Sequence, residues 1–414
     1  MSHPKMQYTY VGIDSHKGSH TAVFLDCFYE KLGEITLSSI PSEFDGFLKE
    51  AKKYKLPKTK FAFGFEDVSA YGRSLVKFLI GKNQLVKHVN ASRVANERNS
   101  QNILQKTDAI DAECTARILL NRFDQLPNAN PHDSYWILSN LVTRRRSIVK
   151  INVMLKNHLH SLLPDHYPSY RNFFTDISCS SATAFYGTYP SPSLLIDVSV
   201  DELSTLLKGV SKGKVGEAKA IQILNAVQND GVQTLEHQSF RDFTIQSTVR
   251  QLKSNKQEIK TIDKQLEMFL DHFGYQLTSM KGIDAVTAGR LISEIGDIER
   301  FPTSASLARY AGVAPVTYAS GMTNLQFANL RGNRRLNETF FKLAVGMIRT
   351  VNDKALNSFF YEYYQKKIAE GKTKRQALKC IERRLVNIIW RMMKHKQSYI
   401  NPPPKPLPKT DEAS

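Results

Sequence analysis

The chain is 414 residues long, 41% hydrophobic and 23% charged, a globular composition that at roughly 150 residues per domain predicts two or three domains. Its 57 Lys and Arg exceed its 39 Asp and Glu by 18, and an excess of that size points to a polyanionic partner. No apolar run approaches the roughly 18 residues of a membrane span, MSHPKMQYTYVGID carries no export-signal pattern, and Cys27, Cys114, Cys179 and Cys380 form no CxxC pair of a zinc ribbon or disulfide scaffold. The expectation is a soluble protein of a reducing, cytoplasmic compartment with no membrane partner.

Strand and helix signals alternate over the first 120 residues. Residues 8–14 form an apolar, β-branched run ending in an acid; 21–27 alternate, and 34–38 give a third short strand. Pro41 and Ser42 open an amphipathic helix through Phe44, Phe47, Leu48 and Ala51. Residues 60–66 read as a buried strand, 70–80 as a helix and 84–89 as another strand. Helices follow from Ser92 and over 108–120. Three strands, a helix, then strand–helix–strand–helix is the order of a ribonuclease-H-like α/β domain, assigned to residues 1–130. The predicted class is α/β plus α.

Residues 131–275 read as a helical region. A long helix over 133–163 has its apolar positions at a helical period, and Val249, Leu252, Ile259, Ile262, Leu266 and Phe269 suit an extended helix packed on another. Whether that partner belongs to the same chain or to a second copy stays open. Pro164, Pro168, Pro190 and Pro192 mark 164–200 as an irregular insertion. Residues 276–400 form a mainly helical third domain, in which 280–312 reads as helix, turn, helix with Gly282 and Gly296 at turns. The proline-rich tail 401–414 is expected to be disordered.

Four acids make the clearest chemical constellation. Asp14 ends the first strand and Glu66 ends the strand begun at Lys60, while Asp108 and Asp111 sit three apart on one helix face. Carboxylates crowded this way stay ionised together most easily around a hard divalent cation, and paired ions can stabilise both oxygens of a phosphoryl transfer. Taken singly, each acid is an ordinary strand-end or helix-start residue. In the strand ending at Glu66, Asp67 would point to the opposite face.

YVGIDSHK (10–17), FGFEDVSAYGRSL (63–75) and QKTDAIDAECTARIL (105–119) resemble the blocks of the DEDD transposases. This is the insertion-sequence-110 family, which includes Piv-type invertases and bridge-RNA-guided recombinases. The resemblance implies a RuvC-like domain in which Asp14, Glu66, Asp108 and Asp111 hold Mg²⁺ or Mn²⁺. Lys106 and Thr107 match the pair before the third acid, whereas Ser69 stands where members usually have glycine. YAGVAPVTYASGMTNLQFANLRGNRRLNETFFKLA (310–344) resembles the family's C-terminal domain through Gly312, Pro315, Ser320 and Gly321, with Arg331, Gly332 and Asn333 further on. Asn337 replaces an arginine of many members. The resemblance implies that Ser320 is the nucleophile, that it attacks a DNA phosphate to give a phosphoserine linkage, and that a structured guide RNA takes part. It also implies a homodimer or homotetramer with a composite site, acting on donor and target DNA.

Read without the family, Ser320–Gly321 is a turn dipeptide, and no histidine stands near it in sequence to complete a hydrolase triad. Arg331, Arg334 and Arg335 are sources of positive charge for a reacting phosphate. Two basic blocks lie outside these motifs: Arg144, Arg145, Arg146 and Lys150 on the long helix, and 366–396, with Lys374, Arg375, Arg383 and Arg384 among eleven Lys and Arg against two Glu. Such runs are often solvated helix faces, but two on a strongly basic chain favour contact with DNA or RNA phosphates. The 209–216 segment lacks the Ser or Thr and the glycine spacing of a phosphate loop. His158 and His160, two apart, point to different faces of their helix. Two other functions remain compatible with the sequence: a RuvC-like metal-dependent nuclease or junction resolvase using water, and a non-catalytic nucleic-acid-binding scaffold.

Overall fold

In a computed structural model of the chain, the described residues are 3–400 apart from 67, 69, 130, 132, 232, 233, 321, 322, 328, 330, 331 and 353, with backbone alone for 317–320, 323, 324 and 326. The tail 401–414, expected to be disordered, lies outside them. The chain divides into two units, Met1–Trp136 and Ile137–Ser414.

The first unit is built on five strands. β1 (Tyr8–Ser15), β2 (Ser19–Leu25) and β3 (Lys31–Ser38) form an antiparallel meander. After α1 (Phe44–Ala51), β4 (Lys60–Phe65) returns parallel to β1, and after α2 (Arg73–Gly81), β5 (Leu85–His88) lies parallel to β4. The sheet order is β3-β2-β1-β4-β5, and the element order is the one the sequence predicts. Alternation along β1 explains the two faces. Val11 and Ile13 face a core with Phe63, Phe65 and the apolar sides of α1 and α2. Tyr10 faces the other core, shared with α3 (Ala91–Ser100) and α4 (Asp108–Arg122).

The approach of α4 to the sheet depends on one missing side chain. A Cβ at Gly12 would lie 2.0 Å from the Ala112 carbonyl oxygen and 2.4 Å from the Ala116 nitrogen, so only glycine lets the helix backbone rest on β1. Thr107 fixes where α4 starts, its Oγ1 accepting the Ile110 N–H at 3.2 Å. Cap and glycine together bring the first turn of α4, with Asp108 and Asp111, to the C-terminal end of β1.

In the second unit, α5 (Asp133–His166), whose first turn contains the division, pairs with α9 (Gln238–Leu270). Between them come α6 (Ser180–Thr188), α7 (Val200–Ser211) and α8 (Glu217–Asp230). Arg145 bonds to Asp263, Asn152 to Asn255 at 2.7 Å, His158 to Thr248 at 3.4 Å and His166 to Gln238 at 3.2 Å. One chain ascends as the other descends, so the helices are antiparallel and the predicted partner of the extended helix is in the same chain.

Residues 164–200 correct the sequence reading. Instead of an irregular insertion they contain α6 and 3-10 turns at Tyr170–Asn172 and Pro192–Leu195. Tyr167, Phe173, Phe185 and Tyr186, each at most 1% exposed, sit at the centre of the core shared with α5, α7, α8 and α9. Proline marks where helices break but says nothing about burial; the aromatics between the prolines carried that information.

The rest of this unit comprises α10 (Ala285–Ile295), α11 (Ser304–Tyr310), the hairpin β6 (Val316–Ser320) and β7 (Thr323–Phe327), and α12 (Arg334–Met347). The short pair β8 (Thr350–Val351) and β9 (Lys354–Ala355) leads to α13 (Ser358–Ala369) and α14 (Lys374–His395). Gly282 and Gly296 have φ of 100° and 66° at the two turns around α10. Among the described residues, no helix is long and apolar enough to cross a membrane.

Candidate functional site

Ile13 pairs with Phe65 in the parallel register of β1 and β4, so Asp14 and Glu66, the next residues, emerge side by side at the C-terminal ends of neighbouring strands. Asp14 shares its face of β1 with Gly12, the face on which α4 rests. Asp14, His16 and Asp108 converge there: His16 Nε2 lies 3.1 Å from Asp14 Oδ2 and 3.0 Å from Asp108 Oδ1. One ligand atom from each falls within 4.8 Å of the other two. Asp111 is buried beside this group, but its carboxylate is held by the Arg98 guanidinium from α3 and lies 4.0 Å from Lys106 Nζ. Asp67 and Ser69 lie outside the described residues.

The electrostatics follow from this crowding. Burial pushes the Asp14 carboxyl above the usual carboxylate range; His16 pulls it back, while the charges of Asp108 and Asp111 add to the rise. For His16, burial opposes protonation, yet the Asp14 and Asp108 carboxylates outweigh it and raise its pKa. Two carboxylates converging on one imidazole are the kind of group in which a cation relieves mutual repulsion. Carboxylate oxygens with one imidazole nitrogen suit a divalent ion, so the residues present fit a metal. His16 is the member the sequence reading missed. Its signal was local: two positions beyond Asp14 on extended chain is the same face. Arg98 had no such signal, because its partner is thirteen residues away on another helix.

Ser320 ends β6 and pairs with Thr323 of β7, leaving two residues between the strands. Its side chain, like Gly321 and Arg331, lies outside the described residues. The base of the hairpin is closed by backbone contact: a Cβ on Gly332 would lie 2.4 Å from both the Cα and the nitrogen of Gly312, itself at φ 67°. Asn337, standing where many members of the resembled family have arginine, donates through Nδ2 to the Ala311 and Gly312 carbonyls, both at 3.0 Å. Asn333 caps α12 through its Oδ1 and donates to Glu294 at 2.9 Å. The hairpin thus leaves the helices through a clasp of two glycines and two asparagines.

The basic candidates divide into two kinds. Arg145 is engaged by Asp263, Arg146 by Glu338 at 3.0 Å and Arg335 by Glu294 at 3.6 Å. Arg383 donates to the Ser304 carbonyl at 3.2 Å, and Arg384 lies over the rings of Phe359 and Tyr363 at 4.9 and 4.4 Å. These pairings hold helices together. Arg144, Lys150, Arg334, Lys374 and Arg375 are exposed, and Arg335 keeps 61% of its side chain open. Arg146, Lys150, Arg290 and Arg335 also line a cleft of about 200 Å³ with Glu294 and Glu338.

Comparison with known proteins gives two family matches. The DEDD transposase model of the IS110 type covers residues 11–168, and the model for the transposase of the IS116/IS110/IS902 family covers 274–364. The chain is 27% identical over 400 residues to the IS116 insertion-element 44.8 kDa protein of Streptomyces clavuligerus, covering 95% of this chain and 97% of that one. It is 26% identical over 301 residues to the IS110 insertion-element 43.6 kDa protein of Streptomyces coelicolor, 70% and 71% of the two chains. Over 132 residues it is 29% identical to the pilin gene-inverting protein of Moraxella bovis, 31% of this chain and 39% of that one.

Proposed function

The chain belongs to the IS116/IS110/IS902 family of transposases, and from that premise we propose that it cuts and rejoins DNA strands through a serine–phosphate ester at Ser320. The observation that carries the reading is the meeting of Asp14 and Asp108 at the C-terminal end of the parallel strands, with His16 between them. In this reading the first unit is RuvC-like; the sheet order β3-β2-β1-β4-β5, with β2 antiparallel and helices on both faces, supports it.

Asp14, Glu66, Asp108 and Asp111 would hold Mg²⁺ or Mn²⁺, Asp111 by exchanging its Arg98 partner for the ion, and the ion when bound supplies charge neutralisation for a reacting phosphate. Ser320 contributes the nucleophile. Its Oγ bonds to phosphorus as the strand's own P–O ester breaks, and the departing strand oxygen takes up a proton as the serine loses one. Attack by a strand hydroxyl on the serine ester then rejoins DNA and restores the serine. Arg334 and Arg335, at the start of α12, supply positive charge for the phosphate, and Arg144, Lys150, Lys374 and Arg375 contact the backbone. The proposal includes donor and target DNA, a structured guide RNA, and a dimer or tetramer that completes the site.

Incubation with end-labelled DNA and Mg²⁺, followed by denaturation, tests it. A labelled covalent adduct that maps to Ser320 and disappears in Ser320→Ala is the expected result. Strand cleavage that persists in Ser320→Ala without any adduct would assign the chemistry to water and overturn the serine step.

A further inference from the structure

At the opposite end of the sheet from the carboxylates, the chain between α1 and β4 reads Lys52-Lys53-Tyr54-Lys55-Leu56-Pro57-Lys58-Thr59-Lys60. An open groove of about 780 Å³ lies there, at the N-terminal ends of β1, β4 and β5, lined by Lys52, Lys55, Lys58 and Lys60 with Asn83 and Gln84. No Asp or Glu lines it. The neighbouring Lys53 and Lys82 have acidic partners, Glu50 and Asp45; among the described residues none of the four groove lysines has one within 4.0 Å. Four uncompensated charges on one concave surface attract a polyanion. Tyr8 and Phe61 also line the groove, but Phe61 is buried and Tyr8 is half-buried against Phe123 at 4.7 Å, so the lysines are the groups best placed to meet a ligand, and they read phosphates.

The backbone gives a second, independent indication. Lys58 has φ 61°, the left-handed region that glycine adopts freely and other residues enter at a cost. It follows Pro57 in a turn closed by Thr59 N–H to the Leu56 carbonyl at 3.3 Å. That turn is tied to the sheet. Thr59 Oγ1 donates to the Leu56 carbonyl at 2.7 Å, which leaves Thr9 as the donor to Thr59 at 2.9 Å; Thr9 Oγ1 accepts the Leu56 N–H at 3.2 Å. Both threonines are buried. A lysine is therefore held, at conformational cost, where glycine fits better, and its charge is what distinguishes it from glycine.

From Lys60 to Glu66 the extended chain spans roughly 20 Å, about six steps of duplex DNA at roughly 3.4 Å each. We propose that this groove holds the backbone of duplex DNA flanking the reacting phosphate, an anchor separate from the carboxylate end; this rests on the recombinase reading above. Four phosphate contacts set the expected size of the effect.

The test is a salt titration of full-length protein binding to a labelled 40-base-pair duplex, read by fluorescence anisotropy. Replacing Lys52, Lys55, Lys58 and Lys60 together by Gln should lower the slope of log affinity against log salt by about 3 to 4; the same four changed to Arg should keep it. Lys58→Gly alone should lower the slope by about 1 while leaving the melting temperature unchanged or higher, which a merely structural lysine would not do. An unchanged slope in the four-Gln variant, with its circular dichroism intact, overturns the proposal. If that variant instead loses affinity for single-stranded RNA of the same length and keeps its duplex slope, the occupant is RNA and the duplex assignment is overturned. Wild-type protein that binds no duplex at any salt, with its guide RNA or without it, would sink the recombinase reading itself, a result distinct from either.

Discussion

The carboxylate end of the first unit and the serine hairpin of the second are built in opposite ways. Asp14 leaves a strand whose neighbours Val11, Ile13, Phe63 and Phe65 are completely buried, and Asp108 starts a helix pressed against that strand's backbone. Ser320 ends a two-stranded hairpin with Val316, Leu325 and Phe327 exposed at 38%, 50% and 51%, held at its base by Gly312, Gly332, Asn333 and Asn337. The strand and helix that carry the acids are fixed by packing; the hairpin that carries the serine is fixed at its base by hydrogen bonds and one backbone contact. Clustered like charges need the first kind of support, because their repulsion must be resisted continuously. A residue that meets a substrate strand can be carried on a projecting arm.

This contrast can be broken by substitution. The largest effect is expected for Asp14→Asn, which should lower strand cleavage by on the order of 10³-fold with duplex affinity kept; cleavage within tenfold of wild type would remove Asp14 from the chemistry. Next comes a pair of glycine substitutions. Gly12→Ala forces a Cβ into the α4 backbone and should cost about 3 kcal/mol or more in urea unfolding of the first unit. Gly332→Ala should leave that transition unchanged and instead lower adduct formation at Ser320 by about tenfold or more, because the clasp must open. Equal stability loss in the two variants would erase the distinction drawn here. Asn337→Ala removes two hydrogen bonds from the Ala311 and Gly312 carbonyls and should cost about 1–2 kcal/mol in the second unit alone.

The smallest effect concerns Glu382, 2% exposed and paired with Lys379. Burial raises its pKa, against the pull of Lys379 and Arg375. A carboxyl with a raised folded pKa contributes most to stability when protonated, below its unfolded value near about 4.3, and loses that contribution as pH rises through the folded value. Glu382→Gln should therefore unfold at higher denaturant than wild type at pH 7, and the gap should close below about pH 4. A gap that widens in acid would reverse the assignment.

Much of the first unit was legible because its signals are local. A strand ending in Asp14, a second ending near Glu66, and an acid pair three apart beginning a helix are patterns within single elements. What stayed hidden depends on pairs distant in sequence. Arg145 and Arg383 look like surface charge until Asp263 and the Ser304 carbonyl come beside them, and Asp111 looks equivalent to Asp108 until Arg98 takes its carboxylate. Residues 164–200 are hidden for another reason: their prolines mark breaks, while their burial is carried by Tyr167, Phe173, Phe185 and Tyr186 between them. The five lysines between Lys52 and Lys60 are as dense as either basic block in the sequence; what only the fold shows is that four of them line one groove.

The antiparallel pair of α5 and α9 has a mechanical consequence. Thirty-three residues make α9 about 50 Å long, and polar partners recur along its seam from Asp263 to Gln238. Sliding one helix past the other by a single turn, about 5.4 Å, would break all of these partnerships at once, so the pair resists telescoping and behaves as a stiff beam. A tilt of about 5° at one end carries the other through about 4 Å, given that length.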